Sequence, residues 1–83
     1  MIEVTQLTAT TTEQVYTIQK EVSINTRVII SPDMPCLISF NDNQQYQSYL
    51  GGEIFVFNDR ETPIKKIYYK TSTGTANIRI WVM

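Results

Sequence analysis

The strongest order in this chain is a two-residue alternation of apolar and polar positions. Between Gly74 and Met83, one side carries Ala76, Ile78, Ile80 and Val82, and the other carries Thr75, Asn77, Arg79 and Trp81. Period two over that length predicts a β-strand with one buried face. Cys36, Ile38 and Phe40 oppose Leu37 and Ser39 in the same way. Val28 and Ile30 oppose Arg27, with Ile29 blurring the pattern. Ile54 to Phe57 is apolar at every position, which predicts a strand covered on both faces. The expected core is Ile38, Phe40, Phe55, Ile67, Ile78 and Ile80.

Turn signals separate these runs. Pro32 and Pro35 lack the N–H that a sheet ladder needs, so Ser31–Pro35 is expected to end a strand. Asn41-Asp-Asn43 between Phe40 and Tyr46 predicts a hairpin, and Gly51-Gly52 predicts another. The polar stretch Asn58–Pro63 reads as a loop, and Ser72-Thr-Gly74 joins the last two strands. Thr8–Thr12 reads as a strand end running into a turn. The expected strands are 2–8, 13–18, 21–24, 26–31, 36–41, 45–50, 53–57, 64–71 and 75–82. Eight or nine short strands at such spacing predict an all-β fold. The expectation is a single small β-sandwich over residues 1–83, jelly-roll-like, with about eight antiparallel strands. Composition agrees: isoleucine, valine, threonine and the aromatics dominate, while alanine appears only at Ala9 and Ala76.

Composition also narrows function. A domain of 83 residues has a core that supplies only about 3 to 5 kcal/mol without a staple. Cys36 is the single cysteine and there is no histidine, which removes an intrachain disulfide and the usual zinc ligand sets. Oligomerisation is the staple left. Seven basic against eight acidic residues give a net charge of −1, with no surplus to displace counterions from nucleic acid. The one basic cluster, Lys65, Lys66 and Lys70, is short and expected to divide between two faces. The start of the chain has neither a basic nor an apolar leader region, and no apolar run approaches the ~20 residues of a membrane span. The expectation is a cytoplasmically made protein with no nucleic-acid or membrane partner.

Candidate chemistry is sparse. Without histidine, the commonest general base and the usual partner of Ser or Cys nucleophiles are missing, so no enzymatic activity and no cofactor is expected. Cys36 lies on an apolar strand face and reads as a small buried hydrophobe. Asn41, Asp42 and Asn43, with Asp33 close in space, offer oxygen ligands for calcium, but a hydrogen-bonded turn explains the same residues better. The aromatics carry more. Tyr46, Tyr49, Tyr68, Tyr69 and Trp81, with Arg79 on the strand face of Trp81, exceed what one core face can hold. As exposed groups they would anchor a protein interface or stack on sugar rings.

Three segments resemble small virion proteins of tailed bacteriophages: Cys36-Leu-Ile-Ser-Phe-Asn-Asp, Tyr49-Leu-Gly-Gly-Glu-Ile-Phe, and Pro63-Ile-Lys-Lys-Ile-Tyr-Tyr-Lys through Gly74-Thr-Ala-Asn-Ile-Arg-Ile-Trp-Val. The first 30 residues share only their β-rich character. The resemblance implies a β-sandwich closed by a final hairpin. It implies a capsid decoration or auxiliary head protein, or a small tail or fibre component, that binds the major capsid or other virion proteins. It further implies a homo-oligomer, a trimer above all, located in the virion. A carbohydrate-binding module using Trp81 and the tyrosines is the alternative from a different class.

Overall fold

The computed structural model describes residues 2–19, 21–22, 26–41, 46–57 and 64–83. Eight strands follow in chain order: β1 (Glu3–Ala9), β2 (Gln14–Thr17), β3 (Val28–Pro32), β4 (Cys36–Phe40), β5 (Gln47–Tyr49), β6 (Phe55–Phe57), β7 (Lys66–Lys70) and β8 (Ala76–Val82). They form two four-stranded antiparallel sheets. The front sheet has the order β1-β8-β3-β6 and the back sheet β2-β7-β4-β5. No helix occurs among the described residues.

The topology is one long hairpin wound between the two sheets. β4 pairs with β5, β3 with β6, β2 with β7 and β1 with β8, each pair nested inside the next. Residues whose numbers add to 85 lie opposite each other in three of these pairs, as in Glu3↔Val82, Val28↔Phe57 and Cys36↔Tyr49. In the fourth the numbers add to 83, as in Gln14↔Tyr69. A slip of two keeps every side chain on its face, whereas a slip of one would turn the buried set outward. Wound in this way, β4–β5 is a hairpin and every other connection crosses between sheets. The Gly51-Gly52 turn is therefore a crossover, not a hairpin, and so is Ser72–Gly74. The resemblance led to a closing hairpin, but β7 and β8 lie in different sheets and do not pair.

Alternation placed the core correctly in its centre. Val28, Ile30, Ile38, Ile67, Ile78, Ile80 and Val82 are essentially fully buried between the sheets. Phe40 and Phe55 are only half-buried, because they belong to the rim. There Phe40 meets Phe57 (ring centroids 4.9 Å apart), and Tyr49 meets Phe55 (4.8 Å) and Phe57 (5.5 Å). These rings close the side of the sandwich where the edge strands β5 and β6 meet. The opposite side, between β1 and β2, is closed by polar groups. The Tyr16 hydroxyl donates to Glu3 Oε2 and accepts from Thr5 Oγ1 at 2.9 Å, while Gln19 N donates to the same carboxylate oxygen at 3.2 Å.

Other expectations change. Ile54 and Val56 are 67% and 61% exposed: β6 is an edge strand whose outer face the chain leaves bare. Glu21 and Val22 are not in a strand, and Ser23 and Ile24 lie outside the described residues, as do Asp42, Asn43 and Asn58–Pro63. Pro32 does join the sheet, opposite Ile78. Asp33 N bonds to Asn77 O at 3.0 Å, so by alternation the nitrogen of Pro32 points away from β8. It points where β6 has already ended, and no donor is missed there. Lys66 and Lys70 share the outer face of β7 with Tyr68, and Lys65 lies just before the strand at the opposite parity.

Candidate functional site

The five aromatic and basic candidates fall in three places. Trp81 and Arg79 project from the outer face of β8, the guanidinium 5.9 Å from the indole centroid. Tyr46 and Tyr68 belong to the outer face of the back sheet. Tyr49 points inward onto Phe55 and Phe57 and is part of the rim packing, which corrects its placement as a surface residue. The sequence shows which residues share a strand face but not which strands share a sheet, and that separates the tyrosines from Trp81.

On the back sheet, Tyr46 is committed to its own neighbours. The Tyr46 hydroxyl donates to Glu13 Oε2 at 2.6 Å, and the Lys70 ammonium lies 4.4 Å above its ring. One ring face and the hydroxyl are thus occupied. Ser39, directly opposite Tyr68 in the sheet, is buried despite its outward register.

The outer face of the front sheet is different. Register places Val4 beside Trp81, Trp81 beside Ile29 and Ile29 beside Val56. This apolar row crosses all four strands. Ile2 and Met83 extend it at one end, and all of Ile2, Val4, Val56 and Met83 are exposed. Toward the other end the face turns polar, with Gln6, Arg79 and Ser31 side by side and Asn77 in the next row. Here β6 stops at Phe55 while β3 runs on to Pro32, and the missing fourth strand leaves a groove of about 450 Å³. Gln6, Ser31, Asp33, Asn77, Arg79, Trp81 and Ile54 line it.

The polar end of this groove is fixed by hydrogen bonds across three strands. Thr8 Oγ1 donates to Asn77 Oδ1 at 3.2 Å; Asn77 N and Nδ2 donate to the two Asp33 carboxylate oxygens at 2.7 and 3.3 Å. Asp33 and Asn41, considered together as calcium ligands, stand at opposite ends of β4, about 17 Å of strand apart. Asn41 is a turn residue at φ 55° whose Oδ1 accepts from Lys65 N (2.8 Å) and Lys66 N (3.3 Å). Among the described residues no three His, Cys, Asp or Glu side chains gather as a metal site, and no helix is long and apolar enough to cross a membrane.

The titratable groups point to structure. Burial, with Asp33 adding to it, pushes the Cys36 thiol up to about 11. Burial also raises the hydroxyls of Tyr16, Tyr46, Tyr49 and Tyr69 above the ordinary value, with Glu3 reinforcing Tyr16 and Glu13 reinforcing Tyr46. A raised folded-state pKa means that folding favours the neutral form. The stability is full below the unfolded values, about 8.5 for Cys and 10 for Tyr, and is lost as pH rises through the folded ones. The melting temperature is expected to hold near neutrality and fall progressively above about pH 9, while tyrosinate absorbance rises. A flat melting curve to pH 11 would contradict this reading of the rim.

No family model and no curated protein matches the chain. Among solved structures it is similar to the solution NMR structure of a de novo designed double-stranded β-helix. That match has a TM-score of 0.66 and 20% identity, covering 98% of this chain and 99% of the other. At that identity the likeness is one of fold alone.

Proposed function

We propose that the chain is a non-enzymatic structural protein that assembles with copies of itself through the outer face of its front sheet. The observation that carries this reading is the apolar row Val4, Trp81, Ile29 and Val56, continuous over four strands, with Val4 and Val56 exposed and Trp81 and Ile29 half-buried. Apolar surface left in water forgoes about 25 cal/mol per Å², and contiguous patches of this kind mark interaction sites. A second copy suits the face. A net charge of −1 opposes association little, and a closed ring buries the same patch in every copy.

The nested strand order supports a jelly roll as the finer description of the fold, an architecture found in viral capsid and lectin domains. The virion assignment rests on the sequence resemblance: a capsid decoration or auxiliary head protein that binds the shell as a homo-oligomer, with a trimer favoured. Genes for a capsid, portal or tail protein beside this one are expected on that reading, and an adjacent glycoside hydrolase on the carbohydrate-binding one. Size-exclusion chromatography with light scattering tests assembly directly. The chain at about 50 μM is expected to run at a multiple of 9.6 kDa. Val56→Lys is expected to run as one chain with an unchanged circular dichroism spectrum. A single-chain mass for the unmodified protein sinks the assembly reading.

A further inference from the structure

The groove at the polar end of the front sheet is a different kind of surface from the apolar row beside it. We propose that this groove binds a neutral saccharide, with Trp81 as the stacking platform and Arg79, Asp33, Asn77 and Gln6 as the hydroxyl-reading groups. The proposal does not depend on assembly, since the groove belongs to a single chain.

Four observations support it. The volume, about 450 Å³, lies within the ~300 to 1,000 Å³ of small-molecule sites. An indole forms part of one wall and Ile54 part of another, so the apolar C–H face of a sugar ring has a surface to lie on. Arg79 has no carboxylate partner among the described residues; its planar fork of donors is free to take two neighbouring hydroxyls. The Asp33 carboxylate receives one short and one long hydrogen bond from Asn77, and keeps acceptor positions open for hydroxyl donors.

Charge and rigidity choose the ligand class. Arg79 and Asp33 carry opposite charges on the same groove, which penalises a carboxylate, phosphate or sulfate as much as it attracts one. A neutral polyhydroxylated ring uses both. Asp33 and Asn77 are already held in place through Thr8, so little side-chain freedom remains to be lost on binding. Tyr46 offers no rival platform, because Lys70 covers its ring and Glu13 holds its hydroxyl.

The test is a nitrogen–proton NMR titration of the full chain with cellohexaose, maltohexaose, chitohexaose and mannohexaose, each to about 10 mM, the range of weak single-site affinities. Trp81 is the only tryptophan, so its indole N–H is a unique reporter. At least one of these sugars is expected to give saturable shifts confined to Trp81, Arg79, Asn77 and Gln6. Trp81→Ala and Arg79→Ala are each expected to weaken binding roughly tenfold or more, and Trp81→Phe to retain most of it. Val56→Lys, expected to be a single chain with Trp81 uncovered, is expected to bind at least as tightly as the unmodified protein, which separates this proposal from the assembly reading. No saturable shift with any of the four, or shifts centred on Tyr46 and Tyr68, overturns the site. A stronger response to a sialylated trisaccharide overturns the neutral class.

Discussion

Ile80→Ala is expected to take away a large share of the stability of this domain. Ile80 lies on the inner face of β8, between Thr5 of β1 and Ile30 of β3, and is 1% exposed. Truncating a buried isoleucine costs about 2 to 5 kcal/mol, the upper part of the range applying where the site cannot collapse. Hydrogen-bonded strands on both sides of β8 hold the backbone apart here, so the cavity stays open. At about 0.05 to 0.15 kcal/mol per residue the whole domain has only some 4 to 12 kcal/mol. Phe40→Ala removes a larger side chain and is nevertheless expected to cost less, because Phe40 is half-buried at the rim and packs on Phe57 alone among the rings. Urea unfolding of both variants measures the order. Equal losses, or a larger one for Phe40, would show that the rim and not the sheet centre holds the fold.

That comparison marks how far the sequence could be read. Alternation tells each residue its face, and for Ile38, Ile67, Ile78 and Ile80 face was enough, since their strands are central. Phe40 and Phe55 alternate just as well, but their distance from the edge of the sandwich depends on strand order, which is non-local. The same gap explains the turns. Gly51-Gly52 and Ser72–Gly74 have the composition of hairpins because a crossover of few residues needs the same backbone freedom. Asn41 leads into the β4–β5 hairpin, and only there did composition and pairing coincide. Trp81 was legible as an outward residue. Ile29 and part of the Ile54–Phe57 run were legible with it as apolar positions a single core need not cover; that they form one row with Val4 was not, because the row comes together through register over more than 50 residues of sequence.

The groove was invisible for a related reason. It exists because β6 is three residues long while β3 runs two residues past their shared pairing. No periodicity in either segment announces the mismatch. Arg79, Asn77 and Trp81 were readable as one strand face, whereas Asp33 was considered only as a calcium ligand with the distant Asn41. Two uses of one sheet face then sit side by side, an apolar band toward Ile2 and Met83 and a polar groove toward Asn77, with Trp81 at the border. Trp81 belongs to both, so burial of the band and occupation of the groove draw on the same indole.

Gly51→Ala is expected to be the most damaging single methyl group that can be added to the chain. A β-carbon there would lie 2.5 Å from the Asp33 carbonyl oxygen, 2.6 Å from Met34 Cα and 2.7 Å from the Asp33 carbonyl carbon. All three are backbone atoms, so no side chain can swing aside to make room. Relief requires the crossover to lift off the end of β3 by close to an ångström. That movement strains the Gly52 N to Pro32 O bond (2.9 Å) and shifts Asp33, whose carboxylate holds Asn77. Overpacking typically costs about 1 to 3 kcal/mol, and a lost hydrogen bond adds about 1 kcal/mol. Gly52→Ala separates sterics from conformation. A β-carbon at Gly52 meets nothing within 4 Å, and its cost comes from the left-handed φ of 81°, about 1 kcal/mol. The expected order of melting temperatures is therefore unmodified chain, then Gly52→Ala, then Gly51→Ala lowest. In the Gly51→Ala protein the Asn77 side-chain amide resonances are expected to move, because the clash is transmitted through Asp33 to the floor of the groove. A Gly51→Ala variant that melts with or above Gly52→Ala would mean that the crossover does not rest on β3 as described.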